Sequence, residues 1–252
     1  MSFDVASDAY DAFMGRWSRL LSAQLADLAG VESGQRVIDV GCGTGALTRE
    51  LVARLGGDHV AAVDPSEPFV DAMRLRFPAV DVRHAPAEAL PFPDGAFDAA
   101  LAQLVVHFMA DPVAGVRDMA RVTRRDGVVA ACVWDHDGQR GPLWDFWAAA
   151  HAIDPDVEDE SERAGTREGQ LAVLFDQAGL RDIESTALTV ESRHETFQDW
   201  WEPFELGVGP PGAFVARLDA DRRAALRAEC RRRLSDGPIV VTGVAWAARG
   251  RP

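Results

Sequence analysis

A doubly wound α/β sandwich, with a mostly parallel sheet of about seven strands and helices on both faces, is the architecture this sequence predicts. Three observations carry that expectation. From about residue 31 to residue 134, short apolar runs alternate with amphipathic stretches of helical period, the pattern of parallel strands joined by crossover helices. A glycine-rich turn, "VGCGTG", joins the first strand-like run to the first helix-like one. An acid, Asp64, closes the second strand-like run, where such sheets place their ligands.

Each element follows in order. Residues 9–29 set Phe13, Trp17, Leu20, Leu21, Leu25 and Leu28 at threes and fours, a helix. "RVIDV" is a buried strand, and "ALTRELVARLG" a helix stopped by glycine. "HVAAVD" is the second strand. "SEPFVDAMRLRF" is a helix with Ser66 placed to cap it. "AVDVRHA" and "AFDAALAQLVV" are strands, "DPVAGVRDMARVT" a helix and "GVVAACVW" the fifth strand. Beyond Trp134 a short aromatic helix runs into an acidic stretch, read as a mobile surface segment. "GQLAVLFDQAGL", "TFQDWWEPFEL" and "DADRRAALRAECRRRL" are helical, with "GVGPPG" a breaker before the last of them. "RDIESTALTVES" reads as an edge strand and "PIVVTGVAWAARG" as the final one. The whole of 1–252 is expected to form one domain: an N-terminal lid helix over 1–30, a ligand-binding core over 31–134, and remaining strands with helical cap insertions over 135–252.

Composition narrows the function. The formal net charge is −14 and no lysine is present, which disfavours nucleic acid as a partner. The missing lysine also excludes Schiff-base chemistry and the Walker phosphate loop. No apolar run reaches the ~18 residues of a membrane span, and the acidic start does not resemble a secretory signal, so a cytoplasmic location is expected. Cys42, Cys132 and Cys230 lie far apart without CxxC spacing, so neither a disulfide framework nor a metal site is expected.

The glycine turn leaves two ligands in play. Gly41-x-Gly43-x-x-Ala46 with Asp64 downstream satisfies a permissive dinucleotide pattern. Against it, Asp39 sits two residues before Gly41, where a carboxylate would repel a pyrophosphate. The same carboxylate suits an ammonium and a sulfonium, directly or through water. Asp64 serves a ribose in either case.

The motifs "VIDVGCGTG", "AAVDPS", "APAEALPFPDGAFD", "LVVHFMADP" and "RVTRRDGVV" stand in one order over residues 9–134. In this the chain resembles the class I S-adenosyl-L-methionine (SAM)-dependent methyltransferases, in the branch of the ubiquinone and menaquinone C-methyltransferases and many small-molecule enzymes. The resemblance implies a Rossmann-like fold and SAM as cofactor. Carried over by position, Gly41, Cys42 and Gly43 border the methionine moiety, Asp64 the ribose, Pro65 and Ser66 the adenosine, and Ala87 and Glu88 the adenine edge. Gln103 faces the methyl group. "YDAFMGRWSRLL" is similar to a helix that closes over the cofactor in some members, bringing Tyr10, Met14 and Arg16 near it, with Arg16 a partner for the cofactor carboxylate. Three departures stand out: Pro86 replaces an acid, His107-Phe108 replaces a His-His pair, and "RRDG" replaces a Lys-Pro-Gly-Gly turn.

His107 is the motif's candidate base, with a packed histidine as the plainer reading; His136 and His151 follow strand five. Trp134, Trp144, Trp147, Trp200 and Trp201 either wall an apolar acceptor or join a cap to the sheet. The expected activity is methyl transfer to an O, N or C atom of a small molecule. A nicotinamide-dependent oxidoreductase and a catalytically inactive SAM-binding regulator remain the alternatives; a Tyr-x-x-x-Lys pair is impossible here for want of lysine.

Overall fold

A computed structural model describes residues 13–234 and 237–252. Its strands are β1 (Val37–Val40), β2 (Val60–Asp64), β3 (Asp81–His84), β4 (Phe97–Gln103), β5 (Thr123–Trp134), β6 (Arg181–His194) and β7 (Ile239–Arg251). They form one seven-stranded sheet in the order β3-β2-β1-β4-β5-β7-β6. β1 to β5 pair in parallel, and β7 runs antiparallel to both β5 and β6. The order reverses between β1 and β4, which opens a crevice at their carboxyl ends.

The helices are α1 (Gly15–Leu28), α2 (Ala46–Leu55), α3 (Glu67–Arg76), α4 (Pro112–Val122), α5 (Trp144–Ile153), α6 (Gln170–Gln177), α7 (Phe197–Trp201), α8 (Gly209–Arg217) and α9 (Ala220–Arg233). Alternation along the strands divides the core in two. Val37 and Ala62 pack with Leu21 and Leu25 of α1, Leu51 of α2 and Met73 of α3. Ile38, Val40, Ala61 and Val63 face Val116 and Met119 of α4 and Phe175 of α6. Both faces of the central strands are thereby covered, and that is why they read as continuous apolar runs.

The first core continues into the cap. Phe146 stacks on Phe204 with ring centroids 4.5 Å apart, and Trp200 lies 4.8 Å from Phe204. Phe13 meets Phe204 edge-on at 5.5 Å. Trp147, Trp200 and Trp201 are therefore packing residues joining cap to sheet, while Trp134 also lines a cavity described below. In α9, Leu226 and Cys230 are buried and Arg232 and Arg233 pair with Glu229, the solvated helix its pattern suggests.

Four local expectations are corrected. Ser66 occupies the cap position of α3 without a side-chain capping bond; Asp64 takes the Ser66 N–H instead. "GVGPPG" is not only a breaker, because Pro210 and Pro211 sit in the first turn of α8, where a missing N–H costs nothing. β5 begins at Thr123, before the expected start. The acidic stretch is not wholly a surface segment: Glu160 and Thr166 are buried. Among the described residues no helix is long and apolar enough to cross a membrane.

Candidate functional site

The glycine turn leaves β1 through three residues of positive φ, Gly41 at +73°, Gly43 at +51° and Gly45 at +88°. The N–H groups of Gly41 and Cys42 both donate to the Val63 carbonyl, at 2.8 and 2.9 Å, locking the turn onto β2. A Cβ at Gly41 would fall 2.5 Å from Val105, whereas nothing lies within 4 Å of one at Gly43. The first glycine is needed for packing, the second to leave space above the backbone.

Asp64 completes this wall. Its two carboxylate oxygens each accept one backbone N–H, from Gly43 and from Ser66, both at 2.8 Å. Each oxygen retains a lone pair for a further donor. Burial raises the Asp64 pKa, and the two N–H bonds work against that rise.

Gly41, Gly43, Asp64, Pro65, Gln103 and Phe108 line a hollow of about 480 Å³. It is continuous through Gly41, Pro65, Val105 and Phe108 with a second hollow of about 570 Å³, bordered by Pro86, Ala87 and Glu88. Together they form one cleft along the carboxyl edge of β1, β2 and β4. Gln103 donates from Nε2 to the Ser18 carbonyl at 3.0 Å, tying α1 to the end of β4. Its Oε1 is buried with no hydrogen-bond partner. Glu88 accepts the Asp111 N–H at 3.1 Å, next to the start of α4.

Two expected contacts come out differently. Asp39 is 1% exposed and lines none of these hollows. It faces α2, accepting from the Thr48 hydroxyl at 2.6 Å, so it braces the turn from beneath. Burial, set against the Thr48 bond, pushes its pKa up to about 7. Arg16 points away: it pairs with Asp199 at 3.0 Å and donates to the Arg193 carbonyl, because its place on α1 faces β6 and α7. The expected contact to a cofactor carboxylate gives way. Cys42 is buried, with its thiol pKa raised well above the ordinary value by burial and by Asp39 and Asp64; it is a small packing residue. Tyr10 lies outside the described residues.

A further hollow of about 390 Å³ opens on the other side of Leu104 and Phe108, which line both it and the cleft. Leu104 holds φ +61° at the end of β4, a strained conformation for a branched side chain. Its N–H donates to the Cys132 carbonyl at 2.9 Å. Phe13, Met14, Trp134, Leu143 and Pro211 make the hollow apolar, and His107, His136 and Glu160 give it polar groups. Met14 thus reaches a functional hollow, though not the glycine turn.

His107 follows β4 in the turn Val106–Phe108, and His136 follows β5. Since β4 and β5 are parallel neighbours, both histidines emerge at one edge. Asp135 fixes the second bend by accepting from Gly138 N–H at 2.8 Å and Arg140 Nε at 2.6 Å. Glu160 arrives from the acidic loop after α5 and places Oε1 3.8 Å from His107 Nε2. Burial drives the His107 pKa well below its ordinary value, with His136 and Arg163 adding to it. Burial likewise raises Glu160 to about 7, with Arg163 and the Trp147 N–H working against the rise. Leu104 and Glu160 carried no individual signal in the sequence, and Phe108 showed only as a departure from a His-His pair. His151 instead pairs with Asp159 at 3.0 Å.

Residues 38–131 match a family described as "Methyltransferase domain". The chain is 32% identical over 128 residues to malonyl-[acyl-carrier protein] O-methyltransferase of Serratia marcescens, covering 51% of this chain and 49% of that protein. It is 34% identical over 137 residues to demethylmenaquinone methyltransferase of Renibacterium salmoninarum, covering 53% and 54%. The chain thus spans about half the length of the curated relatives it matches. In fold it is similar to phosphoethanolamine N-methyltransferase 2 of Haemonchus contortus, solved in complex with S-adenosyl-L-methionine. That likeness has a TM-score of 0.60 at 16% identity and covers 98% of this chain and 56% of that one. The family match spans the segment that carries the glycine turn, Asp64 and His107.

Proposed function

We propose that the chain transfers a methyl group from S-adenosyl-L-methionine to a small-molecule acceptor, with the cofactor in the glycine-turn cleft and the acceptor in the hollow beyond Leu104 and Phe108. The observation that carries this reading is the pair of adjoining cavities: one walled by Gly43 and Asp64, the other apolar, with two residues shared between them. A transferase of this kind needs two ligands end to end.

The cleft suits the cofactor. Asp64 has acceptor capacity left for ribose hydroxyls, the space above Gly43 admits a ligand against the backbone, and the orphaned Gln103 Oε1 is an acceptor for an ammonium. Gly41, Cys42, Pro65 and Ser66 would border the remainder of the methionine and adenosine moieties, with Ala87 and Glu88 along the base. When bound, S-adenosyl-L-methionine supplies a methyl carbon already activated by a sulfonium. What is left to the protein is alignment and exclusion of water. Leu104 and Phe108 shape the passage between the hollows, and Phe13, Met14 and Trp134 keep the acceptor side dry. Phe13 and Met14, before α1, serve as the described part of a lid over that side, and His136, Leu143, Glu160 and Pro211 supply the rest of the acceptor wall. His107, neutral and with Nδ1 unpartnered, is placed to take a proton from an acceptor that must lose one.

S-adenosyl-L-methionine and S-adenosylhomocysteine should each raise the melting temperature by several degrees at saturation, and NAD or NADP should not. A shift with NAD and none with SAM would overturn the reading. Asp64→Ala should weaken cofactor binding by about 1–3 kcal/mol in calorimetry, because ribose hydroxyls lose a charged acceptor.

A further inference from the structure

The cluster of His107, His136 and Glu160 asks for more than a base. One ligand atom from each lies within 4.8 Å of the other two, the single such group of three among the described residues. His107 and Glu160 are buried, and His136 is partly so. His136 Nε2 and Glu160 Oε2 are enclosed without a hydrogen-bond partner of good geometry, with the Trp147 N–H the nearest donor to Glu160. An unmade bond at a buried polar atom is unfavourable. All three residues line one hollow, where a partner shared among them would satisfy groups the chain leaves unpaired.

The candidates can be separated by chemistry. A histidine–carboxylate relay requires a hydrogen bond between ring and carboxylate, and the nearest approach, Nε2 to Oε1, is 3.8 Å, too long for one. Metal ligands need no contact with each other. Bonds of about 2.0–2.2 Å to a tetrahedral centre hold their ligand atoms roughly 3.5 Å apart, close to that separation. Two neutral imidazoles and a carboxylate suit zinc and its divalent first-row neighbours, and magnesium or calcium poorly. The carriers are also well braced: Asp135 pins the bend at His136. Neighbouring Asp159 is held by Ser161 and His151.

We infer that His107, His136 and Glu160 form a binding site for one divalent transition-metal ion, such as zinc or iron(II), in the wall of the acceptor hollow. Three protein ligands leave at least one coordination position open, and the site faces the cavity that also holds Leu104 and Phe108. Resting on the methyl-transfer reading above, the site selects acceptors that present an oxygen donor, such as a phenol, enol or carboxylate, and with the ion bound His107 serves as its ligand in place of a base.

The test is made on the full chain without SAM. After removal of bound metal, calorimetric titration with zinc should show one equivalent binding, and cobalt(II) should give the visible bands of a low-coordinate site. Acetohydroxamate, a small oxygen chelator, should perturb those bands if a coordination position is open. His136→Ala and Glu160→Gln should each weaken zinc binding at least tenfold, while Glu158→Gln, an exposed neighbour, should not. SAM affinity, measured separately, should be unchanged in all three. Zinc-induced thermal stabilisation of the unaltered chain gives a readout that does not depend on a variant folding. No zinc or cobalt binding by the unaltered chain overturns the site, as does binding that both ligand variants leave intact. Since SAM binding is read independently, loss of the metal site leaves the methyl-transfer reading standing, and the reverse also holds.

Discussion

The glycine-turn half and the cap half of this molecule make their sites by different means. Between β1 and β4 the site is built largely from backbone: three glycines at positive φ, two N–H groups bonded to the Val63 carbonyl, and a carboxylate held by two more. Beyond β5 the apolar hollow is built from side chains brought together over long separations. Phe13 packs on Phe204, and Glu160 reaches His107. The first kind of site is local and so has a short motif. The second depends on the packing of a large aromatic cluster and has none.

Three changes sharpen this contrast, taken from the largest expected effect down. Trp200, fully enclosed between Phe197 and Phe204, should cost about 3–5 kcal/mol of stability when replaced by alanine. Chemical denaturation reads that loss. If the halves differ as described, cofactor affinity per folded molecule stays nearly unchanged. A comparable loss of affinity would mean that the cap also shapes the glycine turn.

The second change concerns Asp39, under the turn. Its folded pKa of about 7 stands above the ordinary 3.8, so the folded chain binds the proton more tightly than the unfolded one. Its contribution to stability is full below about pH 4 and is lost as pH rises through about 7. Asp39→Asn, which can still accept from Thr48, should remove that decline. It should stabilise the protein above pH 7 by about 2–4 kcal/mol and leave it little changed near pH 4. Parallel melting curves of the two proteins across this range check the sign. An equal offset at every pH would show that the aspartate titrates as it does in water.

The smallest effect belongs to Arg16. Its ion pair with Asp199 is partly exposed, so Arg16→Ala should cost no more than about 1 kcal/mol of stability. Cofactor affinity should not move. A marked loss of SAM binding would restore the carboxylate contact suggested by the resemblance and would require α1 to rearrange on binding.

The legible part of the site is the part whose residues are close in sequence. Gly41, Gly43 and Asp64 were readable because one turn and one strand end bring them together, and the structure places all three on one cleft. Asp39 was read as a ligand group since it adjoins the turn. Strand alternation instead directs it beneath, toward Thr48, and a one-residue difference in facing does not show in a motif. Arg16 was misplaced for a similar reason: helical spacing sets its stripe on α1, but which neighbour meets that stripe depends on where β6 and α7 pack.

By itself the sequence determined the doubly wound sheet, the strand carrying each motif and the place of Asp64 at the end of β2. Hydrophobic period and turn chemistry act within a few residues, and crossover handedness leaves few ways to assemble them. Only the tertiary structure decided that the acidic stretch after α5 folds inward to deliver Glu160 to His107 and His136. The composition of that stretch favours solvent, and the desolvation of Glu160 is countered by Arg163 and Trp147. His107 and His136 follow β4 and β5, more than twenty residues upstream, so no local pattern tells that Glu160 will meet them.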